Sequence, residues 1–224
     1  MNYDAKTIKT RTTVNQEVAF ILSHPEMFTG RYWDSDGLYH LIFLIMESAL
    51  EPEQANQCSA LEVVIEGETR LSISDNGRGL PVEIVRIDQS VRRPKIEHVF
   101  SWMFTSNPRP SYYEAFGFLG YLGFVFNAMS RRLLIETYFE GQGYRLICAQ
   151  GEVVRKLHKV ADANPQNKGT RFTFTPDQAI FPCFRFDFAS LETRLRELKR
   201  KFPSASITLE DKISDRKIDI QSQG

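Results

Sequence analysis

The chain has 224 residues, of which 42% are hydrophobic, 12% are aromatic and 25% are charged, and its 28 basic residues balance its 28 acidic ones. This composition provides enough apolar material for one sizeable core, so a single globular domain is expected. The lack of a net charge argues against a dedicated nucleic-acid-binding module, and we expect no direct binding of DNA.

The cysteines and the hydropathy pattern exclude two further classes of protein. Cys58, Cys148 and Cys183 are widely spaced and form no CxxC pair, so neither a disulfide framework nor a structural metal site is predicted. The longest apolar stretch, Phe116–Phe126, is too short and too rich in glycine to span a bilayer. These features predict a cytoplasmic protein that does not associate with membranes.

The first half of the chain begins with a polar segment and continues with two predicted helices. Residues 1–13 are polar and lack periodicity, so we treat them as an N-terminal arm that precedes one domain formed by residues 14–224. Val14–Leu22 predicts a short helix that ends before Pro25. Leu38–Leu50 is strongly apolar and predicts a longer helix.

A predicted hairpin follows, and it leads into the most distinctive stretch of the sequence. Leu61–Ile73 alternates like a half-buried hairpin with its turn at residues 66–68, and the second strand ends on Asp75. The next residues are Asn76-Gly-Arg-Gly-Leu-Pro81. A carboxylate at a strand end, followed by glycines that allow a close approach to a flat ligand, suits a hydrogen bond to the amine of a purine. The alternative is an ordinary Asp-Asn-Gly turn.

The second half of the chain alternates predicted helices and strands. An amphipathic helix is predicted over Ile96–Phe104, with Phe100 and Trp102 available to the core. Asp187 is the predicted N-cap of a helix that continues to about Phe202. The basic run in this helix is either a local patch or a solvated helix face. The strand-like segments are Leu133–Thr137, Tyr144–Cys148, Glu152–Leu157 and Gly169–Pro176.

The stretch Asp75-Asn-Gly-Arg-Gly-Leu-Pro81 resembles the adenine-binding motif of the GHKL ATPases, the superfamily of gyrase, MutL, heat-shock chaperones and histidine kinases. Arg78 and Pro81 make it similar to the version found in gyrase B and its topoisomerase relatives. The resemblance covers nearly the whole chain and implies an α+β class, with a Bergerat-type two-layer sandwich of a mixed sheet and helices on one face. It also implies a nucleotide site that includes Asp75, Arg78, Gly79 and Pro81, with Thr170 supporting Asp75 through a shared water.

The predicted helix Leu38–Leu50 resembles the family helix that carries a general-base Glu and, one turn later, an Asn that coordinates magnesium. In the ungapped register, Leu44 occupies the position of the base and Ser48 the position of the metal ligand. Leucine cannot accept a proton, and serine is a poor substitute for the amide oxygen, so hydrolysis is predicted to be lost. The alternative register places Glu47 and Glu51 in these roles and requires a three-residue deletion before Asp75.

The stretch Tyr112–Ser130 resembles the family's ATP lid and the helix after it, with Asn127-Ala-Met-Ser130 matching the helix end. In the lid, glycine amides turn toward the nucleotide phosphates. Gly117 and Gly120 fall on family glycines, and Gly123 is displaced by one position. The alternative is that these three glycines form a close-packed helix face. Phe116 and Leu122 occupy two other glycine positions of the lid, and Leu119 occupies the position of a family histidine.

The resemblance also bears on partners and on function. Tyr3 matches the family's N-terminal arm, which implies a homodimer, whereas the transducer and cleavage domains have no counterpart in the chain, which is compatible with a separate protein partner. The prediction is therefore a stand-alone, degenerate module that binds ATP or ADP weakly or without magnesium and does not hydrolyse it. One alternative is an active ATPase module of a topoisomerase-like system, and another is a pseudo-ATPase that binds proteins but no ligand.

Overall fold

The computed structural model describes residues 16–24, 26–29, 35–51, 58–86, 89, 92–102, 116–117, 119–160 and 168–221. The helices are α1 Gln16–Ser23, α2 Glu26–Thr29, α3 Ser35–Leu50, α4 Lys95–Ser101, α5 Leu119–Ala128 and α6 Phe188–Lys201. The strands are β1 Ala60–Gly67, β2 Arg70–Asp75, β3 Ile84–Arg86, β4 Arg92–Pro94, β5 Ser130–Phe139, β6 Gln142–Ala149, β7 Glu152–Lys159, β8 Gly169–Pro176, β9 Ser206–Asp211 and β10 Arg216–Asp219. Within these ranges, no helix is long and apolar enough to cross a membrane.

Eight of the strands form one sheet in the order β10-β9-β1-β2-β8-β5-β6-β7, and β3 pairs with β4 in a separate ribbon. Neighbouring strands are antiparallel except for β1 and β9, which run parallel, so the sheet is mixed. Strands β1 and β2 form the predicted hairpin. Its turn is Glu68-Thr69, which begins later than the turn expected at residues 66–68. The predicted fold class is confirmed.

The two faces of the sheet differ in burial and in charge. Side chains that alternate along the central strands are fully or nearly fully buried beneath the helices, among them Leu71, Ile73, Phe172 and Phe174. The opposite face carries hydrogen-bonded ion pairs, such as Arg145 with Glu136 at 2.6 Å. Alternation of this kind is typical of a sheet with one face packed on the core and one face in water. The helices therefore cover one face.

Helix α3 packs its apolar face into this core. Its buried positions include i, i+3, i+4 and i+7 residues, which form one face of an α-helix: Leu38, Leu41, Ile42 and Ile45. Burying each such side chain contributes roughly 1.5–3 kcal/mol. The start of α3 also contacts α6, because the Tyr39 hydroxyl accepts a hydrogen bond from the Asp187 amide at 2.8 Å. Asp187 in turn caps α6 by accepting from the Ser190 amide at 2.7 Å, as predicted.

The basic residues of α6 are largely engaged within the protein. Arg194 pairs with Asp36 at 3.1 Å, and Lys201 pairs with Glu47 of α3. The Lys199 ammonium group donates to the carbonyl oxygens of Pro203 and Ala205. These contacts favour the interpretation of the basic run as a helix face that stabilises the fold rather than as a free basic patch.

The prediction for Trp102 was wrong. Helix α4 ends at Ser101, and Trp102 has extended backbone angles of φ −139° and ψ 128°. Its side chain is 48% exposed, whereas Phe100, one residue inside the helix, is fully buried. The early end of α4 therefore turns the indole out of the core.

Candidate functional site

Asp75 is the last residue of β2, and its half-buried side chain begins a tightly hydrogen-bonded loop. Its Oδ1 accepts a hydrogen bond from the Gly77 amide at 2.8 Å. The Asn76 side-chain oxygen accepts from the amides of Ser59 and Ala60, both at 2.9 Å. The Asp-Asn-Gly turn is therefore present, and it fixes the orientation of the Asp75 carboxylate.

The start of β8 lies directly against Asp75. Gly169 has φ +80°, and a Cβ at this position would lie 1.9 Å from the Asp75 carbonyl oxygen and 2.8 Å from its Oδ1. Only glycine fits this contact. The next residue, Thr170, is buried, and its hydroxyl lies 3.1 Å from that of Thr137 on β5. The structure thus brings together Asp75 and the predicted Gly169-Thr170 pair, and it adds a hydroxyl partner that the sequence did not indicate.

Gly79 has a structural role that the sequence did not indicate. Its φ is +81°, and a Cβ here would lie 2.1 Å from the Tyr138 carbonyl oxygen. The next amide, that of Leu80, donates to the Thr137 hydroxyl at 2.7 Å. This glycine therefore allows the loop to lie against β5, and its contact with a nucleotide stays a prediction. Thr137 thereby joins the loop to Thr170.

Arg78 and Pro81 lie at a cavity beside this loop. Arg78 is exposed and Pro81 is buried, and both line a concavity of about 570 Å³ together with Ile84, Phe139 and Tyr144. The cavity combines the Arg78 guanidinium group with apolar and aromatic surface, and the carboxylates of Glu83 and Glu140 also line it. It could therefore accommodate part of a flat ligand that extends past the Asp75 loop.

On α3, Leu44 and Ser48 lie one turn apart on the same side of the helix. Leu44 is half-buried rather than a core residue, and Ser48 is 4% exposed. Three residues separate Leu44 from Glu47, so at 100° per residue their side chains point about 60° apart around the helix axis. The Glu47 carboxylate pairs with Lys201 of α6. This ion pair directs Glu47 toward α6, an arrangement that favours the ungapped register.

The residues present do not fit the family's magnesium site. Leu44 has no ligand atom, and Ser48 offers one neutral hydroxyl, whereas a hard cation takes several oxygen ligands. In the part of the chain that the structure describes, no group of three or more His, Cys, Asp or Glu residues could hold a metal ion. We therefore assign no metal-dependent step to these residues.

The lid glycines divide into two groups. Gly117 has φ +59° and precedes α5, and its carbonyl oxygen accepts from the Gly120 amide at 2.9 Å. Gly123 lies inside α5, where a Cβ would come within 2.7 Å of Val99 Cγ1, so the close-packed helix explains this glycine. Phe116 and Leu119 are buried in the core. Among the described residues of the segment, Gly120 thus uses its amide within the turn and Gly123 serves helix packing. The predicted arm residue Tyr3 lies outside the described residues.

Cys58 is a neighbour of the site that the sequence did not identify. Its thiol donates to the Ala60 carbonyl oxygen at 3.3 Å. Burial, followed by the charge of Asp75, raises the pKa of this thiol to about 11. Burial also raises the pKa of the Cys148 thiol, which lies in the core, whereas Cys183 is exposed.

The three cysteines should therefore react with iodoacetamide in a fixed order. Because the Cys58 pKa is about 11 instead of about 9, its thiolate fraction at pH 8 falls roughly 100-fold. We expect Cys183 to be alkylated first, Cys58 much later and Cys148 only after unfolding. Mass spectrometry of peptides from wild type and Cys183→Ser measures the order. Alkylation of Cys58 at the rate of an unshifted thiol would contradict the burial of this side chain beside Asp75.

Comparison with known proteins identifies the family of this chain and a solved structure with the same fold. The family described as "Histidine kinase-, DNA gyrase B-, and HSP90-like ATPase" matches residues 33–180. The crystal structure of the 43K ATPase domain of Thermus thermophilus gyrase B in complex with an aminocoumarin superposes with a TM-score of 0.75 and 24% identity, over 93% of this chain and 52% of that one.

Two curated relatives are also named as B subunits of gyrase or of a type 2 topoisomerase. The DNA gyrase B of Haloferax volcanii is 32% identical over 199 residues, which cover 87% of this chain and 30% of the relative. The type 2 topoisomerase B of Aquifex aeolicus is 32% identical over 189 residues, covering 84% and 23% of the two chains. The chain thus spans less than a third of these relatives. On the family match and the shared fold, it belongs to the histidine kinase-, DNA gyrase B- and HSP90-like ATPases, the GHKL superfamily.

Proposed function

We propose that this chain is a degenerate GHKL module that binds an adenine nucleotide through Asp75 with little dependence on magnesium and does not hydrolyse it. The observation that carries the proposal is the arrangement around Asp75. One carboxylate oxygen is fixed by the Gly77 amide, and the backbone of Gly169 packs against the same residue. A carboxylate held at a strand end is a suitable acceptor for the exocyclic amine of adenine.

The catalytic part of the proposal rests on α3. Leu44 and Ser48 occupy the side of the helix where the resemblance places the base and the metal ligand, and neither supplies the required chemistry. Glu47, the only substitute that we considered for the base, pairs with Lys201. In this proposal α3 therefore supplies no group that activates water.

The relatives support an alternative in which the chain is an active ATPase module of a type II topoisomerase-like system, because they are named as gyrase and topoisomerase subunits. A homodimer through the Tyr3 arm and a separate protein partner both belong to that context and stay predictions. A ligand-free pseudo-ATPase is the remaining alternative. The degenerate module, the active ATPase and the ligand-free protein would respond differently to nucleotide and to magnesium.

Calorimetry with ATP, ADP, adenosine and GTP, each in magnesium and in EDTA, tests the proposal. We expect the three adenine compounds to bind, with affinities that change by less than about three-fold when magnesium is removed, because no metal ligand is available. GTP should not bind, because its ring presents a carbonyl oxygen where adenine presents an amine. Strict magnesium dependence would favour the active ATPase, and lack of binding at millimolar concentration would favour the ligand-free protein.

A further inference from the structure

A second cavity lies on the sheet face opposite the helices, where β5 begins. It has a volume of about 430 Å³, and its lining includes Arg131, Arg132, Ile147, Val154 and Thr175. Successive residues of a regular strand point to opposite faces of the sheet. Here the register between β5 and β8 shifts between Ser130 and Arg132. This bulge explains how two consecutive arginines come to line one cavity.

The two arginines differ from Arg145 and Arg171, which lie on the same face. Arg145 pairs with Glu136, and Arg171 pairs with Glu66. Arg131 and Arg132 are both exposed and form no ion pair or side-chain hydrogen bond with any residue that the structure describes. Two neighbouring guanidinium groups without a carboxylate repel each other and create a local positive potential. An anion in the cavity would remove this repulsion.

The remaining lining indicates the kind of anion. Thr175 is the register partner of Arg132 on β8, and its hydroxyl is another donor or acceptor at the cavity. Two guanidinium forks and a hydroxyl suit a tetrahedral oxyanion with two negative charges better than a single carboxylate, for which one arginine suffices. Val154, which is 65% exposed, and Ile147 add apolar surface beside the charges.

We propose that the cavity at Arg131, Arg132 and Thr175 binds a phosphate monoester whose organic group contacts Ile147 and Val154. The site is separate from the proposed nucleotide site. Thr175 alternates with the core-facing Phe172 and Phe174 and so lies on the open face of the sheet. Asp75 aligns with Leu71 and Ile73 on the helix-covered face. Binding here therefore does not depend on the function proposed for Asp75.

Titration calorimetry with phenyl phosphate tests the site, because this probe combines a dianionic phosphate with an apolar ring. We expect Arg131→Gln with Arg132→Gln to weaken binding at least ten-fold, roughly the effect of losing charged hydrogen bonds. Arg131→Lys with Arg132→Lys keeps both charges but removes the forks, and it should also weaken binding. The control, Arg200→Gln with Lys212→Gln, removes two exposed charges elsewhere and should leave binding unchanged. Thermal unfolding verifies that each variant is folded.

Further titrations distinguish the sources of the phosphate. A phosphoserine peptide that binds at least ten-fold more tightly than phenyl phosphate would identify a phosphorylated protein, and equal affinities would identify a small phosphate ester. Asp75→Asn should leave phenyl phosphate binding unchanged. The proposal is overturned if phenyl phosphate fails to bind wild type at millimolar concentration, if the Gln double variant binds as wild type does, or if duplex DNA binds through the same arginines while phenyl phosphate does not.

Discussion

Wild-type protein incubated with ATP and magnesium should release no phosphate above background. Loss of a general base typically lowers a rate by roughly 10²–10⁴-fold, and Leu44 cannot accept a proton. Ser48, in place of an amide ligand, weakens stabilisation of the same transition state. Glu47 does not compensate, because its carboxylate is paired with Lys201 of α6. A coupled phosphate-release assay measures the rate directly.

Two sets of variants give this assay a control. Leu44→Glu with Ser48→Asn restores the two side chains that the resemblance implies, and we expect a trace of turnover from this variant only. Glu47→Gln should change nothing, because the wild type has no rate to lose. Wild-type hydrolysis that disappears in Glu47→Gln would instead show that Glu47 is the base, that the gapped register is correct and that the protein is an enzyme.

Gly169→Ala should destabilise the protein by about 3 kcal/mol or more, a large effect for a single methyl group. The new Cβ would lie 1.9 Å from the Asp75 carbonyl oxygen, and the residue would also retain a φ of +80°. Relief of the clash requires the start of β8 to move away from the end of β2. Urea denaturation gives the change in the free energy of unfolding.

Gly141→Ala is the matched control for this prediction. Gly141 has a similar φ of +74°, but a Cβ there would meet no atom within 4 Å. Gly141→Ala should therefore lower the free energy of unfolding by only about 1 kcal/mol, the cost of the left-handed backbone conformation. If both variants lose the same stability, the close contact between Gly169 and Asp75 is not present in solution.

The elements that local patterns determine were predictable from sequence. Helix α3 follows from its apolar periodicity, and α6 follows from the same pattern together with its cap at Asp187. The β1–β2 hairpin follows from alternation and leads to Asp75 at the strand end. In each case the determining interactions lie within a few residues, so the sequence pattern contains them.

The contacts that complete the site were not predictable in this way. The Leu80 amide and the Thr137 hydroxyl are 57 residues apart, and no local pattern indicates that they meet. The contact of Gly79 with the Tyr138 backbone was not predicted, because it depends on how the loop packs on β5. Trp102 was misplaced because α4 ends at Ser101, one residue before it, and does not continue to Phe104 as predicted. Tertiary packing determines all three.

Calorimetric titration of ADP in EDTA into wild type and Asp75→Asn tests whether Asp75 binds the adenine ring. The substituted amide oxygen can still accept from Gly77, so the loop should keep its structure while the acceptor for adenine is weakened. We expect ADP to bind wild type, to bind Asp75→Asn at least ten-fold more weakly, and to bind the control Asp219→Asn on β10 as it binds wild type. Equal affinity of wild type and Asp75→Asn for ADP would contradict this role of Asp75.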